Sequence, residues 1–567
     1  MSLTMDQQLA TLKADLAAQA AKITTLEAKT ALATPEWDGV ALAGINTGDT
    51  AWILTSTCLV LMMTIPGLAL FYAGMSRANN ALSTVMQSFA ITCWVSILWL
   101  MFGYSLAFGH GGKDNRWVGG SNKFWLRGDD KTGTPVLPVQ IQSSPGRPGT
   151  AAACASCAQS PRPLAHRSLV LSCSLYASCL VLPDDSTHTP CWRQGSRSGT
   201  MPEALFVIFQ MTFAIITAAI ITGAVAERMK FISLLVFVFF WHLLVYCPLC
   251  HWEWGGGFMS DWGVLDFAGG DVVHISSGVS GLVAAMIVGK RRAYGAGAEL
   301  PPHNVMLTFI GGSLLWVGWF GFNAGSAVAA NGTASMAMLV THLAASAGGF
   351  SWMLMEWMIA GKPTVLGVVS GAIAGLVVIT PGAGYVDQTG GFCMGVLGGI
   401  GCYFGIQIKH KLGYDDALDA FGVHGVGGII GGILTGFFAN PAISPGTSGV
   451  FYKNGDQLGW QLAGICVTAG YCSIMTAIIL LCLKVTIGLR VSEEDEDIGL
   501  DASEHGHTTM PTTMPVPQPV QQQFVKQVEY YPPPDQPVAY SAYPMQPAFA
   551  AQTVFGPPQV PMQPIYQ

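Results

Sequence analysis

The sequence predicts an all-α integral membrane protein with eleven transmembrane helices, built as an inverted 5+5 repeat plus a C-terminal helix. Three observations carry this prediction. First, 51% of the 567 residues are hydrophobic and only 10% charged, where a soluble domain carries about 25% charged residues. Second, eleven stretches come near the ~20 apolar residues that a bilayer requires. Third, two distant segments share one pattern: DFAGGDVVHISSGVSG (266–281) and FGVHGVGGIIGG (421–432) each set one histidine at the head of a glycine-rich apolar run.

The spans are expected at about 51–74, 83–109, 202–226, 231–250, 271–289, 304–322, 333–358, 364–380, 391–409, 422–439 and 460–489. Glycine and proline interrupt several of them, which is tolerated in helices packed inside a bundle. The loops give the orientation. Arg77, the pair Arg228 and Lys230, the run Lys290, Arg291 and Arg292, then Lys362, Lys409, Lys411 and Arg490 all follow odd-numbered spans. The short even-numbered loops, 251–270, 323–332, 381–390 and 440–459, hold only Lys453. Positive charge marks the cytoplasmic side, so the N-terminus lies outside and the C-terminus inside.

Spans 1–5 and 6–10 are then two halves of opposite orientation, with His274 and His424 at equivalent positions in spans 5 and 10. In both, glycines follow at +4 and +7 (Gly278 and Gly281; Gly428 and Gly431), which puts them on one helix face below the histidine. An ionisable side chain inside an apolar span is costly and marks a functional site by default. A pair of them at matching places suggests one site at the meeting of two repeats. A lone histidine here would fit a packing residue equally well.

The remaining chain divides as follows. Residues 1–44 form an extracellular N-terminal helix or tail. Leu9, Leu12, Leu16, Ile23 and Leu26 step by three and four, but polar Gln19 breaks the seam, leaving a short trimeric coiled coil and a lone amphipathic helix both open. No basic n-region with an early apolar core marks a cleaved signal peptide. The membrane domain occupies 45–110 and 201–490. Residues 111–200 form an extracellular loop that turns to low-order Pro, Ser, Ala, Arg and Cys from about 130 to 198, a disordered insert by composition or translated non-coding sequence. Five of the 14 cysteines lie there, with Cys154 and Cys157 as a lone CxxC, too little for a metal site. Residues 491–507 are an acidic cytoplasmic segment. Residues 508–567, rich in Pro, Gln, Tyr and Thr, form a disordered cytoplasmic tail. No basic patch suggests nucleic acid. No nucleophile elbow, phosphate loop or metal-ligand cluster in the spans suggests an enzyme or a cofactor.

Several motifs together carry a resemblance. FYAGMSR (71–77), GAVAERM (223–229), DFAGGDVVHI (266–275), GWFGFNAGSA (318–327), SGAIAGLVVITPGAGYV (370–386) and FGVHGVGGIIG (421–431) resemble the Amt/MEP ammonium transporter family, of eukaryotic Amt type, with the Rh proteins as distant relatives. The match covers about 45–110 and 200–506 and skips the 130–198 insert. The resemblance implies eleven helices, a homotrimer, one pore per subunit, the plasma membrane, and ammonium or ammonia as the substrate.

It also assigns residues. Trp254, Phe209 and Ser326 match the outer recruitment site, and Asp266 matches an acid that shapes it. A tryptophan face attracts a small cation by roughly 0.5–2 kcal/mol, although by position alone Trp254 fits an interfacial belt and Ser326 a helix-packing residue. Phe213 and Phe322 match a stacked gate, where periodicity alone reads core residues. His274 and His424 match a pore pair. Ammonium differs from potassium in donating hydrogen bonds and losing a proton, so a selective site needs an acceptor. A neutral imidazole pair supplies one, because burial and a charged neighbour disfavour double protonation. Asp419, five residues before His424, is taken as the inner counterpart of Asp266, with a structural role. Ser503 matches a phosphorylatable threonine of the family tail, which implies a regulatory kinase. His242, His251 and His342 have no repeat partner and are read as packing or interfacial residues. Two other readings stay open: a passive ammonia channel of the Rh kind, and an ammonium sensor that signals through its tail.

Overall fold

The computed structural model describes residues 45–109, 115–126, 200–295 and 300–507, with Gln19 and Lys22 as isolated helical positions. The expected 130–198 insert, nearly all of the N-terminal seam and the tail 508–567 lie outside the described residues. Eleven helices run through the rest: α1 (Thr47–Met75), α2 (Ala78–Phe108), α3 (Glu203–Val225), α4 (Phe231–Trp262), α5 (Gly270–Val288), α6 (Val305–Gly325), α7 (Gly332–Ala360), α8 (Val365–Ile379), α9 (Gln388–Leu412), α10 (Phe421–Phe438) and α11 (Asp456–Thr486). Each coincides with one expected span. Among the described residues there is no β-strand, only an isolated antiparallel bridge between Met229 and Arg490.

Most helices differ from the expected spans by a few residues at their ends, and two differences bear on the site. The α8 helix is short, at 15 residues, because the hydroxyl of Thr364 caps its first turn and Pro381 follows its end. The α4 helix runs past residue 250, where a loop was expected. Its chain stays helical through Glu253, and the Gly255–Gly257 run then breaks it before a short turn at Phe258–Trp262. Trp254 is therefore the C-terminal cap of a helix, held by its N–H to Cys250 O at 2.8 Å, rather than a free loop residue.

The two half-sites cross at the centre. A β-carbon on Gly278 of α5 would stand 2.2 Å from the Gly425 nitrogen of α10, and one on Gly428 would stand 3.1 Å from both Gly270 O and His274 Cβ. The backbones touch reciprocally, and small residues at that crossing are what close helix approach in membranes requires. Both helices begin with a wide π turn, Gly270–Ile275 and Phe421–Gly425, and each contains its histidine. Such turns concentrate at functional sites because they shift side chains out of the regular helical register.

On the side where the odd loops gather, α12 (Glu493–Ile498) and α13 (Leu500–Ser503) cover the ends of the spans. Glu496 is buried and pairs with Arg490 at 2.5 Å, while Arg292 pairs with Asp497 at 2.5 Å. The Asp501 carboxylate accepts the Leu82 and Ser83 N–H groups at 3.1 and 2.6 Å, at the positive end of α2. Beneath this segment, Arg291 forms a two-pronged pair with Asp415 at 2.9 Å and also reaches Glu227 at 3.3 Å. Burial alone would raise Asp415, but its hydrogen bonds to Arg291 and the charge of Arg228 hold it below the usual carboxylate range.

Candidate functional site

Charged and aromatic residues expected at the site converge along one line through the bundle. At one end Phe213, Trp254, Phe267, Ser326 and Gln210 line an open space. Trp254 donates its indole N–H to Asp266 O at 2.9 Å, which fixes the ring. It meets Phe213 edge-on, with centroids 5.8 Å apart and planes at 87°. The Ser326 hydroxyl donates to Phe322 O at 2.8 Å, so its oxygen lone pairs stay available as acceptors.

Below this space Phe213 and Phe322 stack at 4.4 Å and 28°. Beyond them lies a narrow apolar cavity walled by Ile216, Leu315, Trp319 and Phe322 and by both histidines. His274 and His424 approach with Nδ1 atoms 3.2 Å apart and rings inclined by 23°. Trp319 stacks on His274 at 5.5 Å. His274 Nε2 is buried and has no hydrogen-bond partner, and His274 lines the cavity. A third space, bounded by His424, Tyr72, Ser370 and Asp419, continues from there.

The two acidic caps are built alike. Asp266 accepts N–H bonds from Gly269, Gly270, Asp271 and Val272 at 2.6–3.1 Å. Burial raises its pKa, and those four bonds oppose the rise. Its carboxylate is thus spent on holding the first turn of α5, and it meets the open space through Trp254. The matching acid before α10 is Asp416, which accepts from Ala420, Phe421 and Gly422 at 2.8–3.4 Å. Sequence reasoning paired Asp419 with Asp266 and missed this one. The signal was present: Asp266 precedes His274 by eight residues and Asp416 precedes His424 by eight. Asp419 instead has a left-handed backbone, φ 60°, pairs with Lys409 at 2.5 Å and borders the third space.

Phe209 is fully buried. It packs edge-on against Phe213 at 5.0 Å and beneath Gly325, so it backs the open space while its neighbour Gln210 lines it. Gln210 was not singled out from the sequence. Its Oε1 is buried without a partner, a feature that only packing reveals. Ser503 is exposed and donates to Gly499 O at 3.1 Å. His251 bonds the carbonyls of Ala107 and Asn115 at 2.8 and 2.5 Å, His242 stacks on Tyr246 at 5.7 Å, and His342 lies against Trp316 at 5.5 Å.

An eleven-helix membrane protein with an aromatic mouth, a stacked constriction and a narrow apolar bore belongs to the class that moves small solutes across bilayers. The model of the Ammonium Transporter Family matches residues 51–175 and 190–510, and the chain belongs to that family, one of membrane transporters. The match runs farther into the 111–200 region than the motifs indicated, leaving out 176–189 within it. An ammonium transporter of Bacillus subtilis is 43% identical over 461 residues, covering 81% of this chain and 97% of that one. The crystal structure of Candida albicans Mep2 superposes with a TM-score of 0.66 at 32% identity, covering 80% of this chain and 89% of that one. A structure described as a sensor Amt protein gives 0.64 at 25% identity, covering 81% and 98%.

Proposed function

We propose that the chain carries ammonium into the cell through this line of spaces. The single observation that carries the reading is their continuity: Phe213 borders the outer space and stacks on Phe322, Phe322 and His424 border the middle one, and His424 borders the inner one. Trp254, Phe213, Ser326 and Gln210 receive the cation, with Asp266 setting the Trp254 ring and Phe209 backing the wall. Ammonium passes the stacked Phe213–Phe322 gate and gives up a proton to the unpartnered ring nitrogen of His274. Ammonia then crosses the apolar cavity beside His274 and His424, whose mutual hydrogen bond orders the rings and leaves a nitrogen for the substrate. The inner space with Asp419 and Lys409 returns the product to water.

The same reading takes the protein as a homotrimer of the plasma membrane, with the N-terminus outside and residues 491–507 in the cytoplasm. Ser503, exposed on that segment, is the proposed target of a regulatory kinase. Expression in yeast lacking its own ammonium transporters tests the function: growth on low ammonium supports it, and no growth from a chain that reaches the membrane overturns it. Ammonium-induced current in oocytes then separates charge-carrying transport from a passive ammonia channel of the Rh kind. Likeness to a structure described as a sensor favours a second reading, in which the docked segment at α12 and α13 reports ammonium binding. Failed growth with intact ammonium binding would select that one.

A further inference from the structure

Three carboxyl groups crowd one corner at the outer ends of α4 and α5. Glu253 ends the helical part of α4 beside Trp254, Asp266 caps α5, and Asp271 sits in its first turn. They are 7%, 6% and 5% exposed. Asp266 is satisfied by its four N–H bonds. The other two are not: Glu253 Oε1 and Asp271 Oδ1 have no hydrogen-bond partner. Among the described residues no ion pair reaches either of them.

The surrounding elements close the corner. The segment Cys247–Glu253 packs on the turn Gly270–Ile275. From the far side α11 meets Asp271 closely, where a β-carbon on Gly464 would stand 3.0 Å from its Oδ2. One turn along that face, Thr468 is fully buried and its hydroxyl also lacks a partner. The titratable groups that neighbouring elements turn toward the corner are Asp266, Tyr385 and Cys472. None of these is basic. His251, two residues before Glu253, is turned to the carbonyls of Ala107 and Asn115.

We propose that Glu253 and Asp271 are a proton-binding carboxyl pair behind the outer vestibule, whose residual negative charge draws ammonium toward Trp254. Two unpaired carboxylates buried next to a third acid cannot both stay ionised. One shared proton resolves the problem: the protonated carboxyl donates, the ionised one accepts, and Thr468 supplies a further hydroxyl donor. A second proton neutralises the pair, with one proton added and no other bond broken. The pair then ceases to attract a cation, so the apparent KM for ammonium rises as external pH falls.

This inference rests on the transport reading, and the test separates the two. Full-length protein in proteoliposomes is assayed for ammonium-induced current across a pH series, as wild type and as the E253Q/D271N double variant. The wild-type KM is expected to climb as pH falls. The double variant is expected to show a KM that no longer follows pH and is higher at neutral pH by roughly three- to tenfold, the scale of losing one partly screened unit charge near the vestibule. Infrared spectra of purified protein at neutral pH should contain a protonated-carboxyl band that weakens in E253Q. A double variant with the wild-type KM at every pH overturns the proposal. So does a wild-type spectrum without that band, even if the double variant fails to fold. A wild type that carries no ammonium at all fails the transport reading instead, while the infrared band still decides the pair.

Discussion

His274 and His424 meet through their Nδ1 atoms, 3.2 Å apart, from opposite halves of a repeated fold. Two identical nitrogens at that distance bond only if one carries hydrogen and the other does not. The pair therefore holds one tautomer on each side, and a change at one ring is felt at the other.

Replacing either histidine by alanine should leave the remaining Nδ1 stranded in an apolar cavity. Stranding a buried polar atom costs about 1–3 kcal/mol, so ammonium flux is expected to fall roughly tenfold or more, or its selectivity to change, while the protein still folds. Uptake and ion selectivity measured for His274→Ala and His424→Ala check this. Wild-type values in both would contradict the site.

Trp254 presents a ring held in place by Asp266 O at 2.9 Å. Trp254→Leu keeps an apolar body and removes the π-face. A cation–π contribution of roughly 0.5–2 kcal/mol corresponds to a two- to thirtyfold rise in KM. The rate at saturating ammonium should change far less. Concentration dependence of the current separates the two parameters.

Close approach at the α5–α10 crossing makes a sharp structural test. A β-carbon at Gly278 would lie 2.2 Å from a backbone nitrogen, whereas Gly470 on α11 has nothing within 4 Å. Gly278→Val should therefore abolish recovery of folded protein, and Gly470→Ala should be neutral. Size-exclusion profiles of the two variants in detergent report the outcome.

Asp416 offers a pH signature. Burial, and next the charge of Asp419, raise its carboxyl to about 6, above the ~3.9 of an unfolded chain. A raised folded value favours the native state most below about pH 4, and this contribution disappears as pH rises through 6. Asp416→Asn keeps an acceptor for the α10 cap and removes the titration. Thermal unfolding between pH 4 and 7 should lose that part of its slope in the variant. An unchanged slope would exclude Asp416 as its source.

The spans were legible because membrane burial leaves a strong, simple record: long apolar runs and basic residues on alternate loops. All eleven helices lie where those runs are. The histidines stood out because glycines repeat at the same offsets after each. Other features left weaker traces. The helical extension to Glu253 hides in HWEW, which reads as loop until Gly255–Gly257 is seen to be what stops the helix. The cap at Asp416 was overlooked because Asp419 lay nearer to His424, although the eight-residue offset was there to count. Gln210 carries no sequence signal, since a glutamine among phenylalanines says nothing about which way its amide turns. The unpartnered oxygens of Glu253 and Asp271 are a property of three elements together, two of them nearly 200 residues apart.

Glycine at positions 278 and 428 has a consequence for evolution as much as for folding. With backbone seated directly on backbone, the separation of the two imidazoles is gauged by main chain alone, which mutation does not alter. Side chains around the bore can drift in size without changing that gauge. The two histidines can thus stay at working distance while the walls about them are revised.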